Sequence, residues 1–414
     1  MAVTTEHVLI HSIVVASIAL TVLVHPVTTN AVEEDDPFGQ TETTLKKSVY
    51  KLFTSFTNTE YKYIMDIPKN HDIIVAVVDI YMSSNHESLG GQYWVNTDEH
   101  VGTPEIDDDN NGYTDDIHGW DFRSETPYNP ILTSNHGNQV VGVIVGKPIT
   151  ETDSFGYKHH IRGVNPDAKI MRISQGIDPL SPENEAEAIR YAVDNGARVI
   201  NLSHYQSDST NTLKDAIAYA KTKGVFVVVQ GPDAGISSTN DMHQFADVFA
   251  VAKSEYKPGQ GNGDIYQLTG IWHNNIDYCL PHNVKAITNA PANNGTSFSA
   301  ALLSGIIARL LMHDNTITHE QMRGILNTNA ITSTGTDNNG TGYSCKRPSA
   351  ELLFKNYYNG QILRQSVDVQ HTNGKSAIFN IETVVDANDR VLRREIRHVN
   401  SGRHRHWVNQ EVMQ

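Results

Sequence analysis

The stretch "NNGTSFSAALLSG", Asn293–Gly305, joins small and polar residues to a serine and then to an apolar run. A Gly-Thr-Ser tripeptide ahead of such a run is ordinarily a turn or a helix N-cap. Ser297 is therefore either a hydroxyl at a helix start or a nucleophile, and the rest of the chain must decide between them. Upstream, "IIVAVVDI" (Ile73–Ile80) is an unbroken β-branched run, the pattern of a strand buried on both faces. "AKIMRIS", "RVINLS" and "VFVVVQG" read as further strands, and "HQFADVFAVAK" leads into another. Between them, "ENEAEAIRYAVDNGA" and "NTLKDAIAYAKTKG" read as amphipathic helices that stop at Gly196 and Gly224. "VVGVIVG" (Val140–Gly146) fits a helix or a strand equally by periodicity. Alternation of this kind predicts an α/β fold with a mostly parallel sheet and helices on both faces. In such sheets functional residues gather at the C-terminal ends of the strands. Asp79 closes the first strand, and Pro232 and Asp233 follow "VFVVVQG".

A serine hydroxyl is a weak nucleophile and needs a base, and the base needs a third group to orient it. Asp79, His136 and Ser297 are the candidates. Taken singly, Asp79 is a strand-end carboxylate, and His136, one of the chain's 20 histidines, is a surface residue at a helix start. Taken together, the three segments resemble the subtilisin-like serine proteases. "VAVVDIYMSSNHESL" resembles that family's Asp segment, "NHGNQVVGVIVG" its His segment and "NGTSFSAALLSG" its Ser segment. "GVNPDAKIMRIS", "AIRYAVDNGARVINLS" and "IDYCLPHNV" resemble its framework, so the likeness runs from about Ile73 to Phe354. The resemblance implies a three-layer subtilisin-like fold. It also implies Ser297 as nucleophile, His136 as general base and acid, Asp79 as the orienting carboxylate, and a protein or peptide substrate. The Ser297 backbone, at the positive end of its helix, would face the developing oxyanion.

The chain also departs from the family pattern. Where the family carries an asparagine whose amide donates to the oxyanion, Gly231 and then Pro232 stand in register, and Gln230 lies early. Proline offers neither a side-chain donor nor a backbone N–H. Ile80 and Tyr81 follow the Asp where Ser or Thr and then Gly are expected, and Ala301 stands for a proline. After Ser203, His204 and Tyr205 replace glycine-rich strand edge along the substrate cleft and are expected to narrow it. Two classes of function stay open: an endopeptidase of reduced activity, or a pseudoprotease that binds proteins or peptides.

"EIDDDNNGYTDDIHGW" (Glu105–Trp120) carries six acidic residues. Counted from Asp107, the residues Asp109, Asn111, Tyr113 and Asp115 fall at alternate positions, with Gly112 at the turn, as in a calcium loop. His118 stands at the twelfth position, so Asp116 is the expected late ligand. All-oxygen donors select Ca²⁺. Similar inserts bind calcium in a subset of the family that the chain resembles.

The formal net charge is −15, which argues against a nucleic-acid partner because phosphate binding needs a basic footprint. Residues 1–25, with the uncharged run Val8–Val24, read as a signal peptide and secretion, with an uncleaved signal anchor as the rival. Only the anchor would bring the chain to a membrane. Residues 26–71 are a polar, propeptide-like or linker segment, 72–358 the peptidase-like domain, and 359–414 a C-terminal extension. In that extension, alternation around Ala387–Asp389 predicts a hairpin followed by a basic tail. Cys279 and Cys345 pair in an oxidising compartment or stay as buried thiols. Of the glycosylation tripeptides at Asn201, Asn294 and Asn339, only the last is expected on the surface.

Overall fold

In a computed structural model of the chain, the described residues are 62–83, 86–131, 134–152, 158–176, 180–204, 210–232, 242–257, 265–268, 275–282, 295–336, 340, 342–370, 376–399 and 407–409. They fall within one compact unit, Ser48–Gln414. The apolar run Val8–Val24, Tyr205, Asn294 and Asn339 lie outside the described residues.

The expected strands form one sheet. β1 (Ile74–Asp79) lies between β6 (Lys169–Ser174) and β7 (Val199–Leu202), parallel to both. Beyond β7 come β8 (Phe226–Gln230), β9 (Val248–Lys257), β11 (Tyr278–Pro281) and β13 (Gly342–Pro348), each parallel to the last. On the other side β6 pairs in parallel with β2 (Gly119–Asp121). Antiparallel additions are β3 (Thr126–Pro127) on β2, β10 (Ile265–Leu268) on β9 and β12 (Ala330–Thr336) on β13. A separate antiparallel pair joins β4 (Ile149–Thr152) to β5 (Lys158–Ile161).

The strands bury both faces, which is why they read as unbroken apolar runs. Val75 and Val77 of β1 enter one core cluster, and Ala76 and Val78 enter the other. The first cluster is filled by three helices. Two are α2 (Asn135–Val145) and α5 (Thr296–His313); the third, α6 (His319–Thr328), adds Met322 and Leu326. The second cluster is filled by α3 (Pro182–Asp194) and α4 (Asn211–Thr222). The result is helix, sheet, helix, the three-layer α/β arrangement expected. "VVGVIVG" is helical: Ser134 caps α2 by accepting from His136 N, and Val140–Val145 are buried. α5 is long and apolar enough to cross a membrane by composition, yet it is the central helix, with Thr296–Met312 all buried. Gly305 lets it approach the chain closely, since a Cβ there would stand 2.0 Å from Val164 Cγ1.

Cys279 on β11 and Cys345 on β13 are disulfide-bonded, which resolves the two alternatives the sequence left. Residues before β1 also belong to this unit. Buried Arg309 of α5 donates to the carbonyls of Met65 and Ile67 and pairs with Asp167, so Tyr63, Ile64 and Ile67 join the core. The C-terminal hairpin, β15 (Ser376–Val385) and β16 (Val391–Val399), forms as expected. It gains β14 (Gln361–Gln370) and β17 (Trp407–Asn409) as outer strands.

Candidate active site

The C-terminal ends of β1, β7 and β8 meet the first turns of α2 and α5. Asp79 ends β1 and is buried. Its Oδ1 accepts from the Ile80 amide (2.8 Å) and lies 2.8 Å from His136 Nδ1. His136 sits in the first turn of α2 with its side chain 36% exposed. The turn after β1 is fixed to this helix: Ser134 N donates to Tyr81 O, and Ser83 N donates to Asn138 Oδ1. Glycine must follow the histidine, because a Cβ at Gly137 would stand 2.4 Å from Ile80 O. Burial pushes the His136 imidazole down, but the Asp79 carboxylate outweighs it, with His204 opposing, and the ring is held above its ordinary value.

Ser297, 8% exposed, lies in the first turn of α5, where helical geometry leaves backbone amides without intrahelical acceptors. A hydrogen-bonded run ties this turn to β7. Ser304 Oγ donates to Asn201 Oδ1, Asn201 Nδ2 to Ser203 Oγ, and Ser203 Oγ to Ser297 O. Asn201 is thus a buried strut, which leaves its glycosylation tripeptide unusable as expected. Ser297 Oγ has two acceptors in reach of its one proton, Gln230 Oε1 (2.7 Å) and Ser203 O (3.0 Å). The hydroxyl thus faces these two oxygens and not His136, whose ring packs 5.7 Å from that of Phe298.

Gln230, which the register set aside as too early, therefore reaches the candidate nucleophile. No sequence signal marked it, because the contact spans 67 residues. Among the described residues, the end of β8 offers the oxyanion little else. The Gly231 amide donates to Val251 O (2.6 Å), and buried Pro232 has no N–H to give.

His204 does not stand in the cleft as expected. The side chain turns inward, 7% exposed, with Nε2 2.7 Å from Glu185 Oε1 and Nδ1 3.3 Å from Val78 O. Packing of α3 against the sheet supplies Glu185, which is fully buried and draws the imidazole in.

In the acidic loop, carboxylate oxygens of Asp107 and Asp109 meet one of Glu99, all within 4.8 Å of one another. Glu99 was not among the sequence candidates; it comes from the short helix α1 (Thr97–Val101) and is buried. Its carboxylate accepts the amides of Asp108, Asp109 and Asp115, so the loop is wrapped around it. Asn111 is used within the loop, its Oδ1 accepting from Tyr113 N and its amide donating to Asp109 and Asp116. Tyr113 packs edge-on against Trp120, Phe122 and Tyr191. Asp115 accepts from the Glu105 amide. Asp116, the expected late ligand, is fully buried and engaged by Tyr191, Asn96 and Asn111. The three converging anions and their all-oxygen donor set fit a hard divalent cation of the Ca²⁺ type.

A protein-family model described as the subtilase family matches residues 70–344. Among curated proteins, the subtilisin-like protease 1 of Plasmodium berghei is 26% identical over 341 residues, covering 72% of this chain and 55% of that protein. Fervidolysin of Fervidobacterium pennivorans is 28% identical over 350 residues, covering 76% of this chain and 45% of that protein. The chain thus spans about half the length of these relatives. The crystal structure of fervidolysin superposes with a TM-score of 0.53 at 20% identity, over 81% of this chain and 53% of that one, which supports the fold. With a family model matched across β1, α2 and α5, the chain belongs to the subtilase family of serine peptidases.

Proposed function

We propose that this chain is a secreted serine endopeptidase acting through Ser297, His136 and Asp79. The observation that carries the reading is the Asp79–His136 contact of 2.8 Å, at the sheet end where α5 presents Ser297. In the reaction, Ser297 Oγ turns from Ser203 O and Gln230 Oε1 toward His136 and loses its proton to Nε2 as it attacks the peptide carbonyl. Asp79 holds Nδ1 and stabilises the imidazolium. His136 then protonates the leaving amine, and water, deprotonated by the same imidazole, releases the acyl group. The oxyanion is met by the amides at the start of α5. Loss of one oxyanion donor lowers kcat about 10²–10³-fold, a magnitude measured within this family, so turnover is expected to be slow. Ca²⁺ held by Glu99, Asp107 and Asp109 would brace the loop ahead of β2, and the paired cysteines suit an oxidising compartment.

A second reading, a peptide-binding pseudoprotease, is favoured by one observation: the Ser297 hydroxyl faces two oxygens other than the base. A fluorophosphonate probe separates them. Labelling of the folded wild type, absent in Ser297→Ala, supports the peptidase; a folded, unlabelled wild type supports the pseudoprotease.

A further inference from the structure

A second imidazole–carboxylate pair lies behind the first and has no part in the acyl transfer described above. His204 follows β7, which runs parallel to β1 with Leu202 beside Val78. Its Nδ1 faces the Val78 carbonyl, one residue from Asp79, and its Nε2 faces Glu185 Oε1. Both partners are acceptors. A neutral imidazole has one N–H and satisfies only one of them; the imidazolium satisfies both. An imidazolium on the Glu185 carboxylate is favoured over a neutral pair in which a Glu185 acid donates to Nε2, because Glu185 and Asp79 both pull His204 upward; the pair is closed from solvent at 0% and 7% side-chain exposure.

Asp79 gives this charge a purpose. Its Oδ1 is taken by the Ile80 amide and His136. Its Oδ2 is buried and meets no hydrogen-bond donor among the described residues. A buried carboxylate oxygen without a donor is costly unless a cation stands near it. Among the described residues, Glu185 from α3 and Asp79 from β1 act most strongly on His204, and His136 from α2 also acts on it; Asp79 and His204 act on His136.

We infer that the buried Glu185–His204 pair turns its positive, imidazolium end toward the Asp79 end of β1, and so keeps His136 unprotonated, and usable as a base, at lower pH than Asp79 alone would allow. The inference rests on the reading that His136 serves Ser297, and it makes His204 and Glu185 positioning residues. The electrostatics agree in sign. Burial alone would depress His204, but Glu185, Asp79 and the Val78 carbonyl raise it; at His136 the His204 charge opposes the upward pull of Asp79. At an effective dielectric of about 20, unit charges still interact by roughly one pH unit when they are about 12 Å apart.

The test follows the His136 ring signal by NMR against pH in the histidine-labelled, folded chain, assigned with His136→Ala. Fluorophosphonate labelling rates are measured over the same range. In Glu185→Gln, where His204 loses its counter-ion and its proton, and in His204→Gln, the His136 midpoint is expected to rise by about one unit. Labelling at pH 6 should fall about tenfold while the high-pH rate of Glu185→Gln stays within about twofold of wild type. Glu185→Gln keeps the side-chain volume and carries the test if His204→Gln does not fold. A midpoint unmoved or lowered in the folded variants overturns the inference, even where labelling proves Ser297 active. A raised midpoint in a protein that is never labelled upholds the coupling and overturns the peptidase reading instead.

Discussion

Two imidazole–carboxylate pairs act on one another in this molecule with nearly the same contact distance, one through Nδ1 and the other through Nε2. Asp79–His136 closes at 2.8 Å and Glu185–His204 at 2.7 Å. They differ in solvent. His136 is 36% exposed; His204 is 7% exposed, and both its nitrogens face fixed acceptors. The same chemistry therefore takes two roles. An imidazole with one free nitrogen can trade a proton with a substrate, whereas an imidazole held at both nitrogens can only carry charge. Burial, set by how α3 packs on the sheet, makes the difference.

The sharpest way to break this comparison is to remove one carboxylate at a time. Asp79→Asn should lower the labelling rate by about 10⁴-fold, the scale seen when a triad carboxylate loses its charge, with little change in Tm. Glu185→Gln should do the opposite, leaving the high-pH rate in place while stability falls by about 3 kcal/mol in denaturant titration. A rate loss in Glu185→Gln comparable with that in Asp79→Asn would show that both pairs serve the chemistry, and the distinction would collapse.

Calcium comes next in size. Chelator should lower Tm by several degrees, about 2.7 kcal/mol for a site held a hundredfold above its Kd, and Asp109→Ala should abolish that difference. An unchanged melt would leave the Glu99 cluster as a purely hydrogen-bonded loop.

Gln230 is expected to matter less. If its carbonyl only competes for the Ser297 proton, Gln230→Leu should raise the labelling rate about 2–10-fold, the worth of one hydrogen bond. A slower Gln230→Leu would instead make the carboxamide a donor to the oxyanion.

The smallest effect is in the pH dependence of stability. His204 is raised in the folded state above its unfolded value of about 6.5. Its stabilisation is therefore full below about pH 6.5 and fades as pH climbs through the folded value. The stability gap between wild type and Glu185→Gln should shrink over that rise; a gap that widens with pH would show His204 to be neutral.

What the sequence made legible follows from range. β1, β6, β7 and β8 bury both faces, so their apolar runs declare them, and α3 and α4 carry helical periodicity ended by Gly196 and Gly224. "VVGVIVG" was ambiguous because α2 is buried nearly all round, which erases the polar stripe that separates helix from strand. β14 escaped notice because its described side chains, Gln361–Ser366, are mostly polar and exposed. Asp79, His136 and Ser297 can be singled out in the sequence because each sits in a local motif. Gln230, Glu185 and Glu99 have no motif; their roles arise from contacts that only folding creates. His204 was misjudged for the same reason, since a bulky residue at a cleft edge turns inward once a buried carboxylate waits there.

The central claim is that Ser297 is an activated nucleophile. The direct measurement is fluorophosphonate labelling of the calcium-loaded chain, shown to be folded by a cooperative melt, beside Ser297→Ala. The account predicts covalent labelling of the wild type that rises with pH through a midpoint above the ordinary histidine value, as His136 is held raised, and none in Ser297→Ala. A folded wild type that stays unlabelled across that range would contradict it.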